Sequence, residues 1–351
     1  MITYSLKRVL RVVGSAWGQR VSILILICIV MAIAQPVFFR PANATSILQA
    51  IAAIGIMACG MVFTVLVGGM DLSVGSMAGL SASIAYTVAQ PYDFSNYGFL
   101  LGCLASLLLC LIVGYFNGLV VTGFGVPAFV VTLAMNYILY GAIPFITNGM
   151  YIINPKQGLI HQIGNMVVLQ IPFGGGEVLR ITMPIFILIV VVAITAFVLI
   201  KTTYGRQLYA IGGNRNVANL AGINSNLKIK FAFMISSVTA GLGGVIIGSM
   251  NGQAGHLTAR GYEGNVLMAM VVGGINLAGG EGGVSGAIYG ALLVGIINNV
   301  MLMLSVSSDT LQFVRGVIIL AAMTLNMYAA RGSMGALRRK ARPVIPEKSE
   351  G

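Results

Sequence analysis

A long stretch without charged residues is the feature that most constrains the fold of this chain. Residues 94 to 155 contain no Asp, Glu, Lys or Arg, and between residues 21 and 155 only Arg40, Asp71 and Asp93 are charged. Apolar runs of this length are typical of chains whose solvent is lipid. Charged residues make up 8% of the 351 residues, against about 25% in soluble domains. The sequence therefore predicts an integral membrane protein and excludes a water-soluble globular domain.

Windows of about 20 mostly apolar residues give ten candidate membrane spans. They cover residues 21–39, 47–68, 74–90, 98–122, 126–148, 181–200, 231–250, 264–280, 284–304 and 310–330. The predicted fold class is all-α, a polytopic transmembrane helical bundle. The segment 149–180 contains prolines and three consecutive glycines, which is typical of an ordered loop rather than of a separate domain.

If the ten spans cross the membrane in alternating directions, most basic residues lie on one side of it. Four precede the first span, five lie within 201–230 and six lie in the tail, whereas the opposite face receives Arg40, Lys156, Arg180 and Arg260. Because cytoplasmic loops carry the excess of Lys and Arg, both termini are predicted to be cytoplasmic. The predicted organisation is an N-terminus at 1–20, a transmembrane domain at 21–330 with a cytoplasmic loop at 201–230, and a basic tail at 331–351. The net charge of +12 then indicates contact with membrane lipid and not with nucleic acid.

An internal repeat occurs where two spans end. Val67–Leu72 reads VGGMDL and Val272–Leu277 reads VGGINL, and each is followed by a pair of glycines four residues apart. Duplicated halves are common in transporters, so this similarity predicts a duplicated core. The span count makes the two copies parallel, and a single miscounted span would make them inverted.

Asp71 lies between two long apolar runs, next to Gly68 and Gly69. An ionisable side chain at membrane depth is costly and therefore indicates a function, and the glycines permit a broken helix with free backbone groups. The alternative is structural, with Asp71 capping the next helix by accepting the backbone N–H of Ser73 or Val74. The span count places Asp71 near the cytoplasmic boundary, which favours the cap, and the two roles are compatible.

Amides inside the predicted spans form a second group of polar candidates. They are Asn117, Asn136, Asn276, Asn298 and Asn299. Uncharged amides suit a hydrated pathway for a hydroxyl-rich solute such as a sugar, but hydrogen bonding between helices explains any single one equally well. Glu263 and Arg315 lie near the external side as pathway or pairing charges, and an arginine there can also snorkel.

The segment 204–223 is polar and unlike the rest of the chain. Asn214 is a good N-cap, and Gly222 lies where a helix would stop. Between them, three apolar residues share one helical face, namely Val217, Leu220 and Ala221. This pattern predicts a short amphipathic helix outside the membrane, which either offers its apolar stripe to a groove on a partner or lies on lipid headgroups.

Motifs for catalysis are missing from the sequence. It contains no Gly-Lys dipeptide, so the phosphate loop that grips ATP is absent, and the run GGEGG at 279–283 is predicted to be a tight turn. His161 and His256 have no neighbours at metal-ligand spacing. We therefore expect no catalytic residue, no metal site and no bound cofactor in this chain.

Three motifs together resemble one known family, the permease subunits of bacterial ABC importers of the ribose, galactose, arabinose and autoinducer-2 type. They are Gly69–Gly75 (GMDLSVG), Tyr209–Asn214 (YAIGGN) with Ala221–Ile223, and Gly261–Glu263 (GYE) leading to Val272–Gly274. The resemblance covers nearly the whole chain. After Glu263, many members continue with LDAIA, whereas this chain has GNVLM, which leaves the substrate open.

The resemblance implies a coupling helix at about 214–222 that docks on an ATP-binding subunit, and that subunit binds ATP and Mg²⁺. The implied coupling residues are Gly212, Gly213, Asn214, Val217, Ala218, Leu220, Ala221 and Gly222. It also implies a second permease, either another copy or a related subunit, and an extracytoplasmic sugar-binding protein. The candidate residues of the translocation pathway are Asp71, Ser73, Asn117, Asn136, Glu263 and Asn276.

These observations lead to one hypothesis, a permease of the bacterial inner membrane that moves a sugar inward by alternating access while a partner hydrolyses ATP. A self-sufficient secondary transporter or facilitator is the first alternative, and it would need an ion-coupling site for which the spans offer only Asp71 and boundary charges. A second alternative keeps the ATP-driven complex but changes the cargo to branched-chain amino acids or nucleosides.

Overall fold

A computed structural model describes residues 35–154, 158–173, 176–307, 309–321 and 323–324, together with residues 25, 28, 29, 31 and 33. The predicted N-terminus at 1–20 and the tail at 331–351 lie outside the described residues, as do parts of the spans predicted at 21–39 and 310–330. Residues 309–321 are helical.

Helices account for most of the described chain. In order they are α1 Pro41–Leu66, α2 Val74–Ala89, α3 Asn96–Gly123, α4 Ala128–Thr147, α5 Leu159–Asn165, α6 Met183–Lys201, α7 Thr203–Gly213, α8 Arg215–Leu220, α9 Ser225–Asn251, α10 Tyr262–Val272 and α11 Val284–Met303, with 3₁₀ turns at Pro36–Phe39 and Gln90–Tyr92. Six of these helices, α1, α3, α4, α6, α9 and α11, are long and apolar enough to cross a membrane. The predicted all-α, multi-pass bundle is confirmed, and the count of ten spans stays a prediction.

Two small antiparallel strand pairs connect segments between the helices. β1 (Ile152–Ile153) pairs with β4 (Gln253–Ala254), and β2 (Val167–Phe173) pairs with β3 (Glu177–Thr182). The hairpin of β2 and β3, together with α5, occupies most of the segment predicted as a loop. The described residues of that segment contain more regular structure than its prolines and glycines indicate.

The centre of the bundle is formed by α1 and α9. In their most apolar windows 78% and 67% of the residues are buried, against 28% in α3 and 33% in α4 and α6. α9 packs against α3, α1 and α2, and α1 also packs against α11, α6 and α10. The outer helices expose large apolar side chains such as Leu104, Phe145 and Phe197, which is expected where a helix faces lipid.

The two copies of the repeat end their helices in the same way. At the end of α1, Gly68 has φ +75° and the next N–H donates to the Thr64 carbonyl at 2.9 Å. At the end of α10, Gly274 has φ +71° and the next N–H donates to the Met270 carbonyl at 3.0 Å. Both are Schellman-type ends, which favour glycine at the left-handed position. The second is displaced by one residue relative to the VGG alignment.

The side chains that follow these helix ends also correspond. Asp71 Oδ1 accepts the N–H of Ser73 at 3.1 Å, and Asn276 Oδ1 accepts the N–H of Ala278 at 3.0 Å. A short polar side chain that bonds the backbone two residues on forms an Asx turn. The non-helical segments 67–73, after α1, and 273–283, after α10, are called the two breaks. The predicted repeat is therefore visible in the local geometry of both breaks.

The span predicted at 264–280 is too long. α10 ends at Val272, because Gly274 adopts a left-handed conformation and the following residues form turns. Asn276 lies in an exposed turn, so the prediction that it lies inside a span is wrong. The run predicted as a tight turn at 279–283 is non-helical, with positive φ at Gly279, Gly280 and Gly282, but the hydrogen-bonded turn lies just before it, where the Gly279 N–H donates to the Asn276 carbonyl oxygen at 3.0 Å.

Candidate functional site

The predicted amphipathic helix is α8, which together with α7 forms what we call the coupling segment, residues 203–220. Asn214 separates the two helices and caps α8, since its side-chain oxygen accepts the N–H of Asn216 at 3.0 Å and of Val217 at 3.1 Å. Gly222, with φ +81°, follows the end of α8. The predicted cap and stop are therefore confirmed. Both could be predicted because they follow from local backbone rules.

α8 has an exposed apolar face and a buried anchor. Val217 is 59% exposed, Leu220 is 89% exposed, and Ala221 is exposed as well. Ala218, in contrast, is buried against the bundle in a cluster that links α7, α8 and α9. This cluster contains Ile211, Ile229 and Phe233, with Val67 and Ala128 packed against it. The coupling segment is thus seated on the bundle while its apolar stripe faces outward.

Tyr209 attaches α7 to the turn that precedes α11. Its hydroxyl donates to the carbonyl of Gly282 at 2.8 Å. Partial burial raises the pKa of Tyr209 above its ordinary value, which already keeps the hydroxyl protonated at neutral pH, so it can act as a donor. At the end of the same helix, Gly212 is partly buried and Gly213 is exposed.

Asp71 belongs to a buried polar group that we call the inner cluster, formed by Asp71, Ser73, Asn117 and Ser236. Asp71 is fully buried in the non-helical segment between α1 and α2. Its Oδ1 accepts the Ser73 hydroxyl at 2.6 Å, and its Oδ2 accepts the Ser236 hydroxyl of α9 at 2.7 Å. The side-chain amide of Asn117 on α3 donates to the Ser73 hydroxyl oxygen at 3.3 Å.

The inner cluster refines the two interpretations of Asp71. The predicted bond from the Ser73 N–H is confirmed, although the N-cap position of α2 is Ser73 itself. Asp71 is bonded to α9 away from the start of that helix, because its partner Ser236 is six residues beyond Lys230, about 9 Å further along α9. Hydroxyl and backbone donors satisfy the carboxylate and tie the break to α9.

Polar side chains also follow one face of α4. Thr132, Asn136 and Tyr140 recur every fourth residue, which places them in one row. The Thr132 hydroxyl oxygen accepts the N–H of Leu72 at 3.0 Å and lies 3.0 Å from the Met70 carbonyl oxygen, so α4 holds the break from a second side. Asn136 is buried, and its side-chain oxygen has no partner among the described residues.

Tyr140 leads to a second polar group, the outer cluster, formed by Tyr140, Glu263, Asn298 and Arg315. The Tyr140 hydroxyl donates to Glu263 Oε2 at 3.0 Å. Arg315 donates to the Asn298 side-chain oxygen at 3.2 Å and lies within electrostatic range of Glu263. Glu263 is in the first turn of α10, about 14 Å along that helix from its last residue, Val272, after which the segment that contains Asn276 begins.

Two residues of this region were not anticipated, and one amide has a structural partner. Thr132 and Tyr140 escaped the sequence analysis, although their spacing from Asn136 was a detectable signal. Asn299 exchanges hydrogen bonds of 3.1 and 2.8 Å with Asn43 of α1. For Asn299, hydrogen bonding between helices is therefore the better explanation.

Comparison with known proteins identifies the family. Residues 43–323 match the family described as branched-chain amino acid transport system, permease component. The chain is similar to the ribose import permease protein of Haemophilus influenzae (34% identity, covering 88% of this chain and 92% of the relative) and to that of Bacillus subtilis (32%, 86% and 90%). It is also similar to the L-arabinose ABC transporter permease protein of Azospirillum brasilense (29%, 85% and 84%). No solved structure matches. Because the match spans most of the described bundle, this chain belongs to that family of transport-system permease components.

Proposed function

We propose that this chain is the membrane permease subunit of an ABC importer that moves a sugar or sugar-like solute into the cytoplasm by alternating access. The observation that carries this proposal is the similarity of the chain, over most of its length, to permeases named for ribose and arabinose. Those names favour a sugar over the branched-chain amino acid of the family description. The sequence GNVLM after Glu263 leaves the particular sugar open.

The proposed docking site for the ATP-binding subunit is the apolar face of α8. Val217 and Leu220 expose apolar surface on a polar segment, as a helix does when it lies in a partner's groove. Asn214 and Gly222 fix the ends of this helix, and Ala218 anchors it to the bundle. The partner would bind ATP and Mg²⁺ and perform the hydrolysis.

The distribution of charge supports a cytoplasmic location for the coupling segment. Five basic residues lie within it or close to its ends, namely Lys201, Arg206, Arg215, Lys228 and Lys230, and such an excess is typical of cytoplasmic loops. With ten spans both termini are on the same side. The opposite ends of the helices would then receive the extracytoplasmic sugar-binding protein, and a second permease, identical or related, would complete the pathway.

The outer cluster is the proposed first polar contact for the solute. Glu263, in the first turn of α10, provides a charged group for this contact, and Arg315 and the Tyr140 hydroxyl lie beside it. Asn136 follows them inward along α4. The inner cluster, which includes Asp71, Ser73 and Asn117, holds the break after α1 in this conformation. These three residues would reach the solute only when that break opens. Asn276 would lie at the exit side.

Reconstitution in liposomes tests the proposal. We expect uptake only when the chain is combined with its co-purified ATP-binding subunit, the solute-loaded binding protein and ATP. Uptake by the chain alone would instead support a facilitator or secondary transporter. The cargo is tested by measuring whether the delivery protein binds pentoses and hexoses in preference to branched-chain amino acids or nucleosides.

A further inference from the structure

A backbone contact joins the coupling segment to the end of α1 and to the non-helical segment between α10 and α11. The Gly280 N–H donates to the Leu66 carbonyl oxygen at 2.9 Å and so satisfies one of the last carbonyls of α1. Gly212 of α7 lies against both groups, and a Cβ atom there would overlap the Leu66 oxygen and the Gly280 nitrogen. We call Leu66, Gly212 and Gly280 the glycine junction.

The junction has no space for a side chain. Gly280 has φ +76°, and a Cβ atom on it would lie 3.1 Å from the Gly212 carbonyl carbon. The adjacent Gly279 faces the first break, where its Cβ would lie 2.8 Å from the Gly68 nitrogen. The turn that follows α10 is therefore wedged, backbone against backbone, between the end of α1 and the end of α7.

We infer that Gly212 and Gly280 are positioning residues that transmit a movement of the docked coupling segment to the two breaks, the one after α1 and the one after α10. The inference rests on the proposed function, because it requires an ATP-binding subunit that moves α8. Close-packed protein interiors have low compressibility and transmit strain, and a backbone contact has no flexible side chain to absorb it. One displacement of α7 would thus shift both breaks, including the segment that carries Asp71.

A matched pair of variants in the complete complex tests the transmission. Gly212→Ala adds a methyl group inside the junction, whereas Gly123→Ala adds the same group at the exposed end of α3, where nothing lies within 4 Å. We expect Gly212→Ala to lower ATP-dependent uptake about tenfold, a size typical of coupling between sites. Gly123→Ala should retain uptake. Co-purification of the ATP-binding subunit should be unchanged in both variants, since Val217 and Leu220 are untouched.

A second pair examines the other side of the contact and controls for backbone strain. Gly280 and Gly125 both have positive φ, but Gly125, in the turn between α3 and α4, has nothing within 4 Å. Gly280→Ala should lower uptake, and Gly125→Ala should not. Should the alanine variants of the junction fail to reach the membrane, Tyr209→Phe removes only the hydroxyl that bonds Gly282, and uptake should fall several-fold with docking intact.

The outcomes separate this inference from the proposed function. The inference about the glycine junction would be overturned by wild-type uptake in both Gly212→Ala and Gly280→Ala. If those two variants fail to accumulate, wild-type uptake in Tyr209→Phe would overturn it. Loss of the ATP-binding subunit from Gly212→Ala would also overturn it, because the residue would then act in docking. If the unmodified chain transports solute without any ATP-binding subunit, the proposed function itself fails.

Discussion

Replacing Val217 and Leu220 with alanine should remove most of the apolar surface that α8 offers to an ATP-binding subunit. Full burial of a leucine or valine side chain contributes about 1.5 to 3 kcal/mol. Scaled by the exposed fractions of 89% for Leu220 and 59% for Val217, the two contribute roughly 3 kcal/mol, or about a hundredfold in the dissociation constant. The helix itself should persist, because alanine has the highest helix propensity and the Asn214 cap is unchanged.

Binding of the purified ATP-binding subunit to the permease in detergent or nanodiscs measures this loss directly. Leu257→Ala is the control, since Leu257 is an exposed leucine in the turn between α9 and α10, at the opposite end of α9 from the coupling segment. The double variant should bind about a hundredfold more weakly, whereas the control should bind as the parent does. An affinity within threefold of the parent would refute the assignment of α8 as the docking helix.

Three further predictions concern single residues. Asn214→Ala removes the cap of α8 and should lower the stability of that helix by about 1 kcal/mol, so that co-purification of the ATP-binding subunit weakens. Asn214→Asp keeps a capping side chain and should retain co-purification. Equal binding by the two variants would contradict the role of the cap. Ser236→Ala removes a donor to Asp71 and should lower the free energy of unfolding by about 1 to 3 kcal/mol. Ser237→Ala should not, because the Ser237 hydroxyl has no hydrogen-bond partner among the described residues. Equal melting temperatures of the two variants in detergent would argue against a stabilising role of the inner cluster. Glu263→Gln keeps the side-chain shape but removes the charge near Arg315, so uptake should fall while ATPase docking persists; unchanged uptake would exclude Glu263 from the pathway.

Features set by neighbours in sequence were predictable. The cap at Asn214 and the stop at Gly222 follow from backbone groups within a few residues, and both occur where predicted. The positive φ values at Gly279, Gly280 and Gly282 likewise require residues such as glycine, which the run GGEGG supplies. The repeat could be recognised because its two copies share the residues that shape each break, with Asp71 and Asn276 at corresponding positions.

Features set by distant contacts were not predictable. Apolar windows overestimated the eighth span, since hydropathy does not register where a left-handed glycine ends a helix. Asp71 is bonded to Ser236, 165 positions away in sequence, and no local pattern reveals that pairing. The approach of Gly212 to Leu66 and Gly280 is likewise a property of three separate segments. Thr132 and Tyr140 were overlooked because a polar row in an apolar helix stands out only when the periodicity of the polar residues is examined.

The central claim is that a cytosolic partner drives this membrane protein through α8, and the accessibility of residue 220 tests it most directly. In a background without Cys28, Cys59, Cys103 and Cys110, Leu220→Cys should resist a membrane-impermeant thiol reagent in intact cells. It should react once the cytoplasmic side is opened, and bound ATP-binding subunit should protect it. Leu257→Cys should show the opposite sidedness. Labelling of position 220 from outside intact cells would contradict the account.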